Sequence, residues 1–186
     1  PYEKNSFFAL LIPQFHLATL FVPDFFGNPA TRNYWLTGTY IERVSYIGVI
    51  PLVFALYACL QKRTPLIWFF IISLFTTYFL AFDSPIGRTI YSFSLPFIQT
   101  AVPTRIMFVF CFAASILAAF GLEEFQNSKK VKNLLQVVLS IGCIYIFLWL
   151  FVFLAQYIVK DGSWIIHLMI SKRNLLLPSL LFVRWP

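Results

Sequence analysis

The chain has 186 residues, of which 60% are hydrophobic, 20% aromatic and 11% charged, and 14 Lys and Arg outnumber 7 Asp and Glu. Soluble domains average about 25% charged residues, and a mean hydropathy of +0.79 leaves too few polar side chains to cover a water-exposed surface. This composition excludes a soluble domain, a disordered chain, a collagen, a coiled coil and a small disulfide scaffold. We therefore expect an all-α integral membrane protein surrounded by membrane lipid.

Uncharged stretches that approach the roughly 20 residues of a membrane span predict the helices in chain order. Four predicted spans cover residues 44–61, 64–82, 106–122 and 133–159. A fifth begins at Asn174 and is cut short by the end of the chain. Since the chain also opens on Pro1 without a Met, we expect residues 1–186 to be a single membrane domain, a fragment of a larger polytopic helical bundle.

Two further uncharged stretches, Asn5–Pro23 and Thr89–Thr104, are interrupted by prolines and polar side chains. Proline-broken backbone at membrane depth is tolerated only where protein or water satisfies its polar groups. We therefore favour interfacial or partly re-entrant segments over full spans at both positions.

The distribution of Lys and Arg predicts the orientation. Two very short loops between predicted spans carry five basic residues: Lys62, Arg63, Lys129, Lys130 and Lys132. The positive-inside rule places these loops in the cytoplasm and the long segments 1–43 and 83–105 outside the bacterial cytoplasmic membrane. Because the basic residues do not follow one helix face, we expect no nucleic-acid partner.

Common catalytic and metal-binding signatures are absent from the sequence. It contains no phosphate-binding glycine loop, no dinucleotide fingerprint, no HExxH and no CxxC pair. With only His16 and His167, the sequence argues against a histidine metal site. Cys59, Cys111 and Cys143 lie within apolar runs and have the properties of small hydrophobic residues.

The outer stretch from Pro23 to Tyr46 mixes aromatic rings with acidic, amide and guanidinium groups. Rings stack on sugar faces, carboxylates and amides bind hydroxyls, and Arg binds phosphate through two parallel hydrogen bonds. The candidates of this kind are Asp24, Arg32, Trp35, Glu42 and Tyr46. An aromatic belt at the membrane interface is the simpler explanation, and residue types alone favour it.

Two charged candidates lie at predicted span ends. Arg105, two residues after Pro103, is placed to bind a lipid-linked phosphate, although an interfacial anchor fits it equally well. Glu42 is a candidate acid or base if desolvation raises its pKa, and a surface pair with Arg43 is the favoured alternative.

The remaining acidic residues suggest structural roles. The simpler role for Asp24 is to cap a short turn, and we expect Asp83 to cap the short segment that follows it. We assign Glu123 and Glu124 to a solvated cytoplasmic loop without chemistry.

The order of several short motifs resembles the bacterial YfhO family of polytopic membrane proteins over residues 18–125. The motifs are PDFFGNP at Pro23–Pro29, Tyr34-Trp35, Glu42, the run Tyr46–Leu52, Gly87 with Leu95-Pro96, Pro103-Thr104-Arg105 and Ala118–Leu122. The chain departs from the family pattern where Ala101 or Val102 stands in place of a first Arg.

The resemblance implies a GT-C-like fold and a glycosyltransferase. Such enzymes transfer a sugar from a polyprenyl-phosphate donor to a cell-envelope polymer, such as a teichoic acid, on the outer face of the membrane. It implies donor-phosphate binding by Arg105 and Arg32, and binding of hydroxyls or a divalent cation by Glu42 and Asp24, with Tyr46 in a matching motif. The catalytic acid of that class lies in an outer loop that we expect to precede this chain.

Two other function classes stay open at this point. A transporter or flippase for a lipid-linked or polar substrate also uses proline-broken segments at membrane depth. A membrane subunit without a site would use the small-residue face of Ala113, Ala114 and Ala118 for packing within or between chains.

Overall fold

The computed structural model describes residues 8–36, 38–61, 64–93, 102–159 and 162–176. Within these ranges every regular element is helical, and the strand-like pairing is limited to one parallel bridge between Ile12 and Phe82. The prediction of an all-α protein is confirmed for this part of the chain.

Six α-helices and three short 3-10 helices make up the described chain. The α-helices are α1 (Val49–Leu60), α2 (Pro65–Ala81), α3 (Pro85–Ser92), α4 (Met107–Ser128), α5 (Val131–Ile158) and α6 (Gly162–Leu176). The 3-10 helices are Gln14–Leu20, Pro29–Thr31 and Pro103–Ile106, and the last of these leads directly into α4.

Among the described residues, two helices are long and apolar enough to cross a membrane: Pro103–Ser128 with 26 residues and α5 with 28. Only 33% and 17% of their most apolar windows are buried inside the protein, so most of their apolar surface faces outward. The other two predicted spans correspond to α1 and α2, which are apolar but have 12 and 17 residues.

The start of α1 differs from the start of the predicted span at residue 44. Helix α1 begins at Val49, directly after Gly48, whose φ of 98° is incompatible with a helix. Thr64 caps α2 as the N-cap residue, because the Ile67 amide donates to its hydroxyl at 3.3 Å.

Helix α4 runs through the segment that was expected to be a cytoplasmic loop, so that expectation is wrong for Glu123 and Glu124. The helix continues because Phe125 packs edge-to-face on Tyr57 of α1, with ring centroids 5.9 Å apart. It ends where Lys129 adopts a left-handed conformation with φ of 48°.

The region before the predicted fifth span is also helical rather than a loop. Helix α6 contains Lys172 and Arg173, and the Lys172 ammonium donates to the Gln156 side-chain oxygen of α5 at 3.5 Å. The rest of the fifth predicted span lies outside the described residues, as do Lys62 and Arg63 of the short loop.

Helices α1 and α4 approach each other closely and run in the same direction. A Cβ on Gly121 would lie 1.9 Å from the Phe54 carbonyl oxygen, and one α1 turn later the Tyr57 hydroxyl lies 3.3 Å from the Ser128 hydroxyl. Ala118 is buried with Ala55 in the core between α1, α2 and α4. Small residues of α4 therefore serve packing within the chain.

We predict that Gly121→Ala lowers the thermal unfolding temperature of the protein in lipid nanodiscs. The new methyl group must push α1 and α4 apart, at a cost of roughly 1–3 kcal/mol. The matched control is Gly142→Ala in α5, where a Cβ meets nothing within 4 Å and helix propensity alone raises stability by up to about 1 kcal/mol. Equal responses of the two variants would contradict the close α1–α4 contact.

Candidate functional site

Asp24 connects α6 with the segment predicted to lie on the outer side, whose described residues 8–36 and 38–43 are called the outer segment. The Tyr40 hydroxyl donates to Asp24 Oδ1 at 2.5 Å, and the Asn28 side-chain amide donates to the same oxygen at 3.0 Å. The Asn174 side-chain amide of α6 donates to the Asp24 backbone carbonyl. The capping role belongs to Asn28 instead, whose side-chain oxygen accepts from the Ala30 amide at 2.9 Å. Asp24 therefore holds the segment together.

The turn after Asp24 is tightly constrained. Gly27 has φ of 89°, and a Cβ there would lie 2.1 Å from the Asn33 carbonyl oxygen. The Asn33 side-chain oxygen accepts from the Asn28 amide and the Thr31 hydroxyl, each at 2.7 Å. Arg32 is left-handed with φ of 54°, and its side chain is exposed to solvent.

Trp35 joins the outer segment to α6. Its ring stacks on His167 with centroids 4.6 Å apart and planes 12° apart, and its edge contacts Phe26 and Trp164. Nearby, the buried Ser171 hydroxyl of α6 donates to the Phe25 carbonyl at 2.8 Å. One face of Trp35 is used in packing on His167, which leaves less of this ring for sugar stacking.

His16 lies in the interior of the outer segment and is 1% exposed. Within the described residues neither ring nitrogen has a hydrogen-bond partner. Burial, reinforced by the nearby positive charge of Arg43, lowers the pKa of His16 from 6.5 to about 4. Arg43, His16, Tyr34 and Tyr40 line one small internal space. Burial and the hydrogen bond to Asp24 raise the pKa of Tyr40.

Glu42 faces away from this interior and meets Arg105. The Arg105 Nε atom lies 3.6 Å from Glu42 Oε1, and the Thr104 hydroxyl donates to Glu42 Oε2 at 3.4 Å. The Glu42 side chain is 33% exposed and that of Arg105 69%. The sequence favoured a surface pair of Glu42 with Arg43, whereas in the structure Glu42 forms its ion pair with Arg105.

The Glu42–Arg105 pair lies in a cavity of about 280 Å³ beside the first turns of α4. Apart from the charged pair and Thr104, its walls are Ile41, Val44, Met107, Phe108 and Cys111. A carboxylate and a guanidinium in a mostly apolar recess can together bind an anion and accept a proton. We refer to this recess as the Glu42–Arg105 cavity.

Asp83 does not cap the helix that follows it, contrary to expectation. Ser84 caps α3, since its hydroxyl accepts from the Gly87 amide at 3.0 Å. Asp83 instead pairs with Arg88 of α3 through two hydrogen bonds of 2.5 and 2.7 Å. The hydrogen bond from Arg88 lowers the pKa of Asp83. This exposed pair fixes the start of α3 and leaves Arg88 engaged.

A divalent cation, one of the alternative ligands that the resemblance implies for Glu42 and Asp24, finds no ligand set in the part of the chain that the structure describes. There, no three His, Cys, Asp or Glu side chains converge closely enough to hold a metal ion.

The structure thus brings together only part of the predicted site. Glu42 and Arg105 share a cavity whose lining residues do not include Asp24, Arg32, Trp35 or Tyr46. Tyr46 and Arg32 are exposed, while Asp24 and Trp35 stabilise the outer segment.

The roles of three residues in this region were not predicted from the sequence. Thr104 contacts Glu42, Tyr40 binds Asp24, and Arg43 turns inward toward His16. The position of Thr104 directly before Arg105 was the one signal available in the sequence.

No protein-family model matches the chain, and no curated protein and no solved structure is significantly similar to it.

We predict that the protein loses stability as the pH falls from 6.5 toward 4. The lowered pKa of His16 means that the unfolded state binds a proton in this range while the folded state does not, so acidification favours unfolding. The His16 contribution reaches on the order of 3 kcal/mol near pH 4.

Thermal unfolding of the wild type and of His16→Phe between pH 4 and pH 7 measures this contribution. Phe keeps the ring contacts with Phe15 and Phe26 and cannot titrate, so the variant should show the flatter pH dependence. The same slope in both proteins would contradict a buried neutral His16.

Proposed function

We propose that the chain belongs to a polytopic, GT-C-like membrane glycosyltransferase of the YfhO family, located in the bacterial cytoplasmic membrane. It would transfer a sugar from a polyprenyl-phosphate donor to a cell-envelope polymer on the outer face. One observation carries the proposal: Glu42 and Arg105, from separate outer segments, meet at 3.6 Å in one mostly apolar cavity.

The position of this cavity along α4 supports the proposed orientation. Arg105 lies just before α4 begins, whereas Lys129 and Lys130 follow its last residue. These two lysines lie at the opposite end of a helix long enough to cross a membrane. Basic residues concentrate on the cytoplasmic side, so the Glu42–Arg105 cavity would open on the outer side.

The chemistry assigns one role to each charged group. The Arg105 guanidinium binds the donor phosphate and stabilises the negative charge that develops on it as the bond from the anomeric carbon to the phosphate oxygen breaks. Glu42 accepts the proton of the acceptor hydroxyl while that oxygen bonds to the anomeric carbon.

The neighbouring polar residues would support Glu42 rather than react. Thr104 is 2% exposed and donates to the Glu42 carboxylate, which orients it. Asp24 stabilises the segment that carries Glu42 through its bonds to Tyr40 and Asn28. We therefore assign the reacting carboxylate of this fragment to Glu42 and a structural role to Asp24.

We predict that Arg105→Gln and Glu42→Gln each lower the rate of sugar transfer at least about tenfold, because each removes a charge that acts in the transition state. The assay uses the full-length protein in nanodiscs, a radiolabelled polyprenyl-phosphate sugar and crude envelope polymer. Arg32→Gln is the matched control, since Arg32 is exposed and is not part of the cavity.

An unchanged rate of sugar transfer in both cavity variants would show that the site lies outside this cavity. Movement of the intact donor across the bilayer without sugar transfer would instead identify a flippase.

A further inference from the structure

Arg105 lies between two cavities rather than in one. On one side is the Glu42–Arg105 cavity, and on the other is a space of about 330 Å³. The walls of the second space include Leu80, Tyr91, Val102, Ile106 and Phe108. Arg105 and Phe108 line both cavities, so these two residues form part of the boundary between them.

The second space adjoins a further recess along α2. A third cavity of about 270 Å³ shares Ile106 with it and is otherwise formed by α2 and Val109. The α2 residues concerned follow one another at alternating intervals of three and one, which places them on one stripe of the helix: Phe69, Ile72, Ser73, Thr76, Thr77 and Leu80. At the α-helical rise, this stripe is about 17 Å long. We call it the α2 groove.

Several hydroxyl groups of the α2 groove are already bonded within the protein. The Ser73 hydroxyl donates to the Phe69 carbonyl at 2.8 Å, and the Thr77 hydroxyl contacts the Ser73 carbonyl at the same distance. The Tyr91 hydroxyl donates to the Leu80 carbonyl at 2.6 Å. With these groups satisfied, the groove is suited to hydrocarbon along its length and to an anion at the Arg105 end.

We propose that the α2 groove binds the hydrocarbon chain of a lipid phosphate monoester or diester whose phosphate lies at Arg105. The group carried by that phosphate then lies on the opposite side, in the Glu42–Arg105 cavity. The positive charge at one end of an apolar channel selects an anionic amphiphile over a neutral lipid. This inference rests on the proposed function and adds to it the side on which each part of the donor lies.

A photoaffinity experiment tests the position of the chain. The full-length protein in phosphatidylcholine nanodiscs is irradiated with dodecyl phosphate carrying a diazirine at the chain end, and labelled residues are mapped by mass spectrometry. Dodecanol with the same diazirine is the neutral control. The expected result is labelling concentrated on the α2 groove by the phosphate probe and dispersed labelling by the alcohol.

Two variants separate the charge from the groove. Arg105→Gln removes the guanidinium, and Val109→Trp fills the groove with a larger side chain, so each should lower groove labelling at least about fivefold. Ile146→Trp on the exposed face of α5 adds the same ring away from the groove and should leave labelling unchanged. Arg105→Lys keeps the positive charge and should retain part of the groove labelling, which distinguishes loss of charge from loss of fold.

The labelling results separate the groove assignment from the proposed function. Labelling of Ile41 or Cys111 in the Glu42–Arg105 cavity, or equal labelling by both probes, overturns the proposal. Because the probe carries no sugar, groove labelling in a protein that transfers no sugar would refute the proposed function and leave the groove assignment intact. Sugar transfer together with labelling outside the groove would support the proposed function and refute the groove assignment.

Discussion

The close contact between α1 and α4 determines where the candidate site forms. Gly121 lets the α4 backbone approach Phe54, which is only five residues after the start of α1, whereas Gly121 is 14 residues after the start of α4. The two parallel helices are therefore offset along their axes. The first residues of α1 lie beside a later part of α4 and not beside the first residues of α4. The non-helical stretch 44–48 runs back along α4 and carries Glu42 to the level of Arg105. Without this offset, the charged pair could not form beside the first turns of α4.

The outer segment reaches this position by side-chain hydrogen bonds and ring packing, because the named elements in its described part are short 3-10 helices. Asp24 and Trp35 hold the parts of the segment together and connect it to α6. His16 fills the interior of the segment, and its ring nitrogens have no hydrogen-bond partner among the described residues, which costs stability. The adjacent residues Glu42 and Arg43 face opposite sides. This alternation leaves the carboxylate available for chemistry while the neighbouring guanidinium belongs to the interior.

Much of the helical framework could be predicted from the sequence, since the uncharged runs behind α2, α4 and α5 exceed what a soluble helix carries. The late start of α1 could not, because it depends on the conformation of Gly48 rather than on hydropathy. Glu42 and Arg105 could likewise be identified as candidates because they are charged residues at predicted span ends. Their pairing could not be predicted, because it follows from the packing of two helices far apart in the chain. Asp24 matched a catalytic pattern, and its structural role became visible only through its bonds to Tyr40 and α6.

A cryo-electron microscopy map of the full-length protein in nanodiscs would show whether Glu42 and Arg105 form one site. We expect side-chain density for Arg105 within about 4 Å of the Glu42 carboxylate, with Arg43 turned toward His16. A map in which Glu42 pairs with Arg43, while Arg105 extends into the lipid away from both, would show that the two residues form no common site.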